Sequence, residues 1–196
     1  MDSSYRKGEG SRSIAIMTKF VEGKRYETIS LLGHGKGGYS YLAKGEEGEV
    51  VLKQIHHEPC AYYAFGNKIE AEAADYQKLV EAGIRVPKMI AIDKKQEIII
   101  KEYLPGKTIF QRVAMEEDIS YLIPQVEEMA EKAKNAGLNI DYFPTNFIEK
   151  EGLLYYIDYE CNPYSEEWSF PRWGLKYWSK TKEFEEHLRK QLEERK

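Results

Sequence analysis

Cysteine, histidine and long apolar runs are all scarce in this chain, and each scarcity closes off a class of protein. Only Cys60 and Cys161 occur among 196 residues, far apart and without a Cys-x-x-Cys pair. No disulfide framework is expected, and a reducing compartment suits the chain. The histidines are His34, His56, His57 and His187; an adjacent pair cannot present both rings on one face, so no metal site is expected there. The longest apolar runs are a few residues, as at Ile98-Ile99-Ile100, against roughly 20 for a membrane span. The N-terminus has no apolar h-region of a secretory signal, and the expected location is the cytoplasm. Charge of one sign is lacking too. The 29 Lys and Arg nearly balance 33 Asp and Glu, for a net −4, which gives no reason to expect nucleic acid or a membrane as partner.

With 42% hydrophobic and 32% charged residues, the composition is that of a soluble globular protein. A chain of this length buries a core without disulfides or a structural metal, as one domain or two small lobes sharing a cleft. Residues 1–25, rich in Ser, Gly and mixed charge, read as a flexible N-terminal tail. Three short strands follow at 26–32, 40–44 and 50–55, separated by glycine-rich or Gly-Glu turns. A helix is expected over 67–82, where Ile69, Ala73, Tyr76 and Val80 form one stripe and Gly83 supplies the stop. Strands at 88–93 and 97–103 come next, then Leu104-Pro105-Gly106, the best boundary between lobes. A second helix over 124–136 begins with Pro124 and is followed by Gly137, with Val126, Met129, Ala130 and Ala133 on its apolar face. Short strands at 147–148 and 153–157 and a helix over 181–196 on Phe184, Leu188 and Leu192 complete the chain. Strands, one helix, strands, a break and then mostly helices imply an α+β protein of two unlike lobes, 26–103 and 104–196, rather than an alternating βαβ chain.

Gly33, Gly35 and Gly38 have the spacing Gly-x-Gly-x-x-Gly. A dinucleotide-binding fingerprint would need these glycines to open a helix, but they open a strand-like segment. A Walker A loop would end in Gly-Lys-Ser/Thr, whereas Gly38 is followed by Tyr39-Ser40. A strand–turn–strand flap over phosphates and a plain glycine-rich hairpin remain. Lys53 lies fifteen residues beyond Gly38, between apolar neighbours on the third strand, where its charge needs a counter-charge. Glu72 sits beside the apolar stripe of the next helix and can supply it; Glu70 lies further round. Asp141 and Asn146 stand five apart between a helix and a short strand, and Asp158 ends the following strand. Taken singly, Asp and Asn at such places are most often turn formers.

In this order the motifs resemble the protein-kinase-like superfamily, and most closely its small or atypical members such as RIO-type kinases and aminoglycoside or lipopolysaccharide phosphotransferases. The resemblance runs from about Tyr26 to Glu160. It includes Ile84-Arg85-Val86-Pro87 after the glutamate helix and Lys101-Glu102-Tyr103-Leu104-Pro105-Gly106, which looks like the inter-lobe hinge. It implies a bilobal fold with an antiparallel-sheet N-lobe carrying one helix and a shortened, mostly helical C-lobe. It also implies ATP and Mg2+ as cofactors and phosphoryl transfer to a hydroxyl of a protein or small molecule. By the same resemblance Gly33, Gly35 and Gly38 would cover the phosphates, and Lys53, oriented by Glu72, would hold the α/β-phosphates. Glu102 and Tyr103 would offer backbone groups to adenine, Asp141 would handle the acceptor hydroxyl, and Asn146 and Asp158 would bind magnesium.

The departures point elsewhere. Asn139 stands where the family usually has histidine, Tyr159-Glu160 follow Asp158 in place of Phe-Gly, and only 38 residues remain after Asp158, with no Ala-Pro-Glu segment. A nucleotide-binding or protein-interaction module without turnover is the alternative. Trp168, Trp173, Trp178 and Tyr177 read as core packing of the lower lobe rather than an aromatic ligand platform, and Lys36 in the flap as an exposed loop lysine.

Overall fold

The computed structural model describes residues 16–35, 37–57 and 67–194. Lys36, Cys60 and the first fifteen residues of the expected tail lie outside them. Six strands, β1 (Thr18–Val21), β2 (Lys24–Gly35), β3 (Gly38–Gly45), β4 (Gly48–Ile55), β5 (Met89–Asp93) and β6 (Ile98–Glu102), form one sheet in the order β1-β2-β3-β4-β6-β5. Every pairing in it is antiparallel. Two register shifts in β2, between Thr28 and Ser30 and between Leu31 and Gly33, add local twist and curl the sheet. Part of the expected tail is therefore strand. Thr18–Val21 pairs with the start of β2 across Glu22-Gly23, both at positive φ (50° and 78°), the geometry of a two-residue hairpin. Val21 and Tyr26 are buried beneath it.

The central strands are covered on both faces, which explains the unbroken Ile98-Ile99-Ile100 run. Val50, Leu52, Ile98 and Ile100 pack on one side. Ile55 and Ile99 pack on the other against Ile69 of helix α1 (Lys68–Glu81) and Tyr159. Asn67 caps α1 by accepting from the Glu70 backbone N–H at 3.3 Å, and Gly83 at φ +74° ends it. The buried stripe of α1 differs from the expected one. Ile69 and Leu79 are buried while Val80 is 45% exposed, so the covered face runs 69–72–76–79 and carries Glu72 with it.

The second lobe holds α2 (Ile109–Ala114), α3 (Ile123–Asn135) and α4 (Lys182–Glu194). Two small antiparallel pairs join them: β7 (Leu138–Ile140) with β10 (Cys161–Pro163), and β8 (Phe147–Lys150) with β9 (Leu153–Tyr156). Phe110, Val126, Met129, Ala133, Phe147 and Phe184 share one core with Trp178, whose indole N–H donates to the Tyr142 carbonyl at 2.8 Å. The three tryptophans divide: Trp178 is buried, Trp173 packs partly against the core, and Trp168 is half exposed. Leu192 of α4, placed on its apolar face by spacing, is also exposed. No helix among the described residues is long and apolar enough to cross a membrane.

Glycines of the β2–β3 hairpin have different surroundings. A Cβ on Gly38 would lie 2.4 Å from the Gln54 carbonyl oxygen on β4, whereas one on Gly33 or Gly35 would meet nothing within 4 Å. Gly38 is thus required by the sheet itself. Gly38→Ala should lower unfolding stability by about 1–3 kcal/mol through overpacking against backbone, and Gly35→Ala should stay within about 0.5 kcal/mol. Urea unfolding of both variants measures the difference; equal stability would remove this division of roles.

Candidate active site

Alternation along β4 and β6 decides what faces the space beneath the hairpin. Val51 pairs with Lys101 and Lys53 with Ile99, so Lys53 and Lys101 leave the same face of the sheet. The Lys53 ammonium lies 2.7 Å from Glu72 Oε1 and 3.8 Å from Asp158 Oδ1. The side chains of Lys53 and Glu72 are only 11% and 10% exposed. Burial works against the Lys53 charge, but Glu72 and Asp158 outweigh it and hold its pKa above the ordinary lysine value. Asp158 shows the mirror image. Burial opposes its charge, yet Lys53, then Lys101, then the backbone N–H groups of Tyr159 and Glu160 hold it below the usual carboxylate range. The tip of the hairpin lies over this pair, since a Cβ on Gly37 would be 3.4 Å from Lys53 Nζ.

The segment before Asp158 is placed by the loop between β7 and β8. Asn146, in the turn Pro144–Asn146, accepts from the Ile157 backbone N–H through its own carbonyl at 2.9 Å, and its Nδ2 donates to the Asp141 carbonyl at 3.4 Å. Asn146 Oδ1 and the Asp158 carboxylate are oxygen donors of the hard type that magnesium takes, and could hold one only with phosphate oxygens and water to complete the shell. No group of three or more His, Cys, Asp or Glu side chains among the described residues could hold a metal alone. Asp141 Oδ1 accepts from the Phe143 backbone N–H at 3.0 Å, so this carboxylate also shapes its own turn.

At the lobe boundary the Glu102 carboxylate bonds Lys150 Nζ at 3.0 Å and the Lys88 backbone N–H at 3.2 Å, while its own N–H donates to the Lys88 carbonyl at 2.9 Å. That N–H is therefore committed to the sheet and is not open to a ligand. Of the expected backbone contacts, the Glu102 carbonyl and Tyr103 remain.

Three further residues shape the site. The phenol of Tyr156, fully buried, accepts from the Asp141 N–H at 3.3 Å and donates to the Glu160 carbonyl at 2.8 Å, joining the two acidic segments. Tyr159 packs between α1 and the sheet, its ring 4.7 Å from that of Tyr76 and its hydroxyl donating to the Pro87 carbonyl at 2.6 Å. Lys101, 6% exposed, donates to the Ile157 carbonyl at 2.8 Å and lies 4.6 Å from the centre of the Tyr159 ring. Its signal in the sequence was a lysine in step with Lys53 on a strand otherwise buried on both faces. Asn139, where the resemblance leads one to expect histidine, donates to the Ser165 carbonyl at 2.9 Å, and its buried Oδ1 has no hydrogen-bond partner among the described residues. A separate groove of about 830 Å3, lined by Val113, Ile119, Leu175 and Trp178 among others, lies in the helical lobe and includes none of the expected site residues.

A curled antiparallel-sheet lobe joined to a helical lobe is an α+β fold consistent with a kinase-like bilobal arrangement. No protein-family model matches the chain. An alignment over 92 residues that covers 45% of the chain is 32% identical to the KEOPS complex subunit Bud32 of Pyrococcus abyssi, a member of the protein-kinase-like fold. The match covers 41% of that protein's length. The homology is distant and partial.

Two outcomes follow from the buried charges. Lys53→Met strands Glu72 in a nearly dry site and should cost about 3–5 kcal/mol, most of it regained in Lys53→Met/Glu72→Leu; a double-mutant cycle by urea unfolding checks this. Lys101 is pushed down to about 8, by burial first and the Lys53 charge second. The unfolded lysine keeps its proton up to about 10.5, so above pH 8 the unfolded state binds more protons and stability should rise with pH. Relative to Lys101→Met, wild type should gain on the order of 3 kcal/mol between pH 8 and 10.5. A flat difference between their unfolding free energies over that range would contradict the shift.

Proposed function

We propose that the chain binds ATP with magnesium in the space between the glycine hairpin and the Asp141–Asp158 segments and transfers the γ-phosphoryl group to a hydroxyl. The observation that carries this reading is the buried Lys53–Glu72 pair with Asp158 at 3.8 Å, roofed by a hairpin whose Gly33 and Gly35 face open space. An ammonium fixed by a carboxylate and aimed at a second one is suited to neutralising phosphate charge in a partly dry site. The backbone N–H groups of a hairpin without side chains at two positions can approach phosphate oxygens closely. Asn146 Oδ1 and Asp158 would hold magnesium, which supplies charge neutralisation at the phosphates. Glu102 and Tyr103 would meet the base through backbone groups. Asp141 would orient the acceptor hydroxyl and take its proton, held in place by its own turn and by the Tyr156 phenol.

A second reading, a nucleotide-binding or protein-interaction module without turnover, is favoured by Asn139. Its amide anchors Ser165 and supplies no imidazole to the loop of Asp141. Relatedness to a subunit of a named complex is compatible with either reading.

Binding and turnover are tested separately. Millimolar Mg-ATP should raise the melting temperature of wild type by mass action, and Lys53→Met, compared with its own ligand-free form, should lose most of that shift. Asp141→Asn should keep the ligand-induced shift while ATP consumption falls by on the order of 10²–10⁴-fold. No shift in wild type removes the nucleotide site. A shift with an Asp141→Asn variant as active as wild type leaves Asp141 a turn residue and favours the second reading.

A further inference from the structure

Lys101 is a buried cation that the proposed chemistry does not use, and its place is unusual. It leaves the same sheet face as Lys53. Its ammonium is held by the carbonyl of Ile157 and lies 4.6 Å from the centre of the Tyr159 ring, the residues on either side of Asp158. Among the described residues it has no carboxylate within ion-pair distance; what holds it is a backbone dipole and an aromatic ring. We propose that Lys101 is a built-in cation of the site, which occupies part of the electrostatic role of a metal at Asp158 and makes nucleotide binding by this chain only weakly dependent on magnesium. The inference rests on the nucleotide-site reading above.

Asp158 already has the Lys53 ammonium 3.8 Å away, and Lys101 adds a second positive charge from the β6 side. The two lysines face Glu72, Asp158 and the charge of Glu160, which also acts on Lys53, before any ligand arrives. A divalent cation entering beside Asp158 meets two fixed like charges, which the solvent reaching this one-third exposed carboxylate (34%) screens only in part. Lys101 has no ready way to withdraw, because β6 and the Tyr159 ring enclose its stem and its ammonium. The triphosphate responds in the opposite direction, since a fixed ammonium attracts it with or without metal. Both effects lower the ratio of nucleotide affinity with magnesium to that without. Asp158 is held ionised partly by Lys101, in keeping with this arrangement.

The test measures equilibrium binding of a fluorescent ATP analogue to the full chain in excess EDTA and across a magnesium titration. Wild type is compared with Lys101→Gln, which keeps a donor toward the Ile157 carbonyl, with Lys101→Met, which removes it, and with Lys101→Arg, which keeps the charge. The expected result is a plus-to-minus magnesium affinity ratio that rises about tenfold or more in both the Gln and Met variants and stays near wild type in Arg. Binding with an unchanged ratio in all four overturns the role of Lys101 and leaves the nucleotide site standing. A change in Met but not in Gln overturns it as well, because the hydrogen bond to Ile157 and not the charge would then be responsible. Absence of nucleotide binding in every protein, with and without magnesium, overturns the nucleotide-site reading and this inference with it.

Discussion

The ammonium of Lys53 and the carboxylate of Glu72 meet at 2.7 Å with about nine-tenths of each side chain hidden from solvent, and neither charge is tolerable there without the other. This mutual requirement fixes more than one contact. Lys53 belongs to a central strand and Glu72 to the second turn of a 14-residue helix, so the pair sets the rotation of α1 about its axis. Once Glu72 faces the sheet, Ile69 and Leu79 are carried inward and Val80 outward. Ile69, Ile55, Ile99 and Tyr159 then close the apolar surround that keeps the pair dry. Polar specificity and apolar packing are here parts of one arrangement.

The same arrangement ties the lobes together. Tyr159 belongs to the helical lobe's chain but packs against α1 and the sheet, and its hydroxyl reaches Pro87. Arg85 answers from the other side, donating to the Leu154 carbonyl at 3.0 Å and the Gln125 side chain at 3.0 Å, while its carbonyl accepts from the Tyr156 N–H at 2.9 Å. Lys101 and the Glu102–Lys150 pair add two further links. Asp158 therefore stands at a place fixed by both lobes, and its distance from Lys53 depends on how they meet.

Much of this was legible in the residues because alternation and helical spacing are local properties. Strands β3 to β6, the helices α1 and α3 and the β8–β9 pair fall within a few residues of their expected limits. Helix α2 was missed because six residues are too few to show a period, although Thr108 and Gln111 form a capping box around its first turn. The β1 hairpin was hidden by polar composition; its Glu22-Gly23 turn was the available signal. Lys53 with Glu72 could be anticipated, since a charge on an apolar strand calls for a partner on the next element. Lys101 could not be placed by that reasoning, because its partners are a backbone carbonyl and a ring, which leave no complementary charge in the sequence. Tyr156 escaped for the same reason: both of its hydrogen bonds go to backbone. The β7–β10 pairing joins segments too far apart for local pattern to reveal.

Those backbone contacts bear on the loop that carries Asp141. Asn139 lies on β7 and pairs in register with Asn162 on β10, so its amide is turned to Ser165 and does little for Asp141 directly. The Asp141 and Asp158 segments are linked instead by Asn146, which bonds Asp141 and Ile157, and by the Tyr156 phenol, which rises from β9 and touches both. Phe147, opposite Tyr156 on β8, packs its ring 5.3 Å from that of Tyr156 and 5.0 Å from that of Trp178. Trp178 in turn bonds the Tyr142 carbonyl, one residue beyond Asp141. Asp141 is thus held through a closed circuit of aromatic packing and hydrogen bonds to backbone. A phenol enclosed in this way has few alternative rotamers, so it can fix the spacing of the two acidic segments.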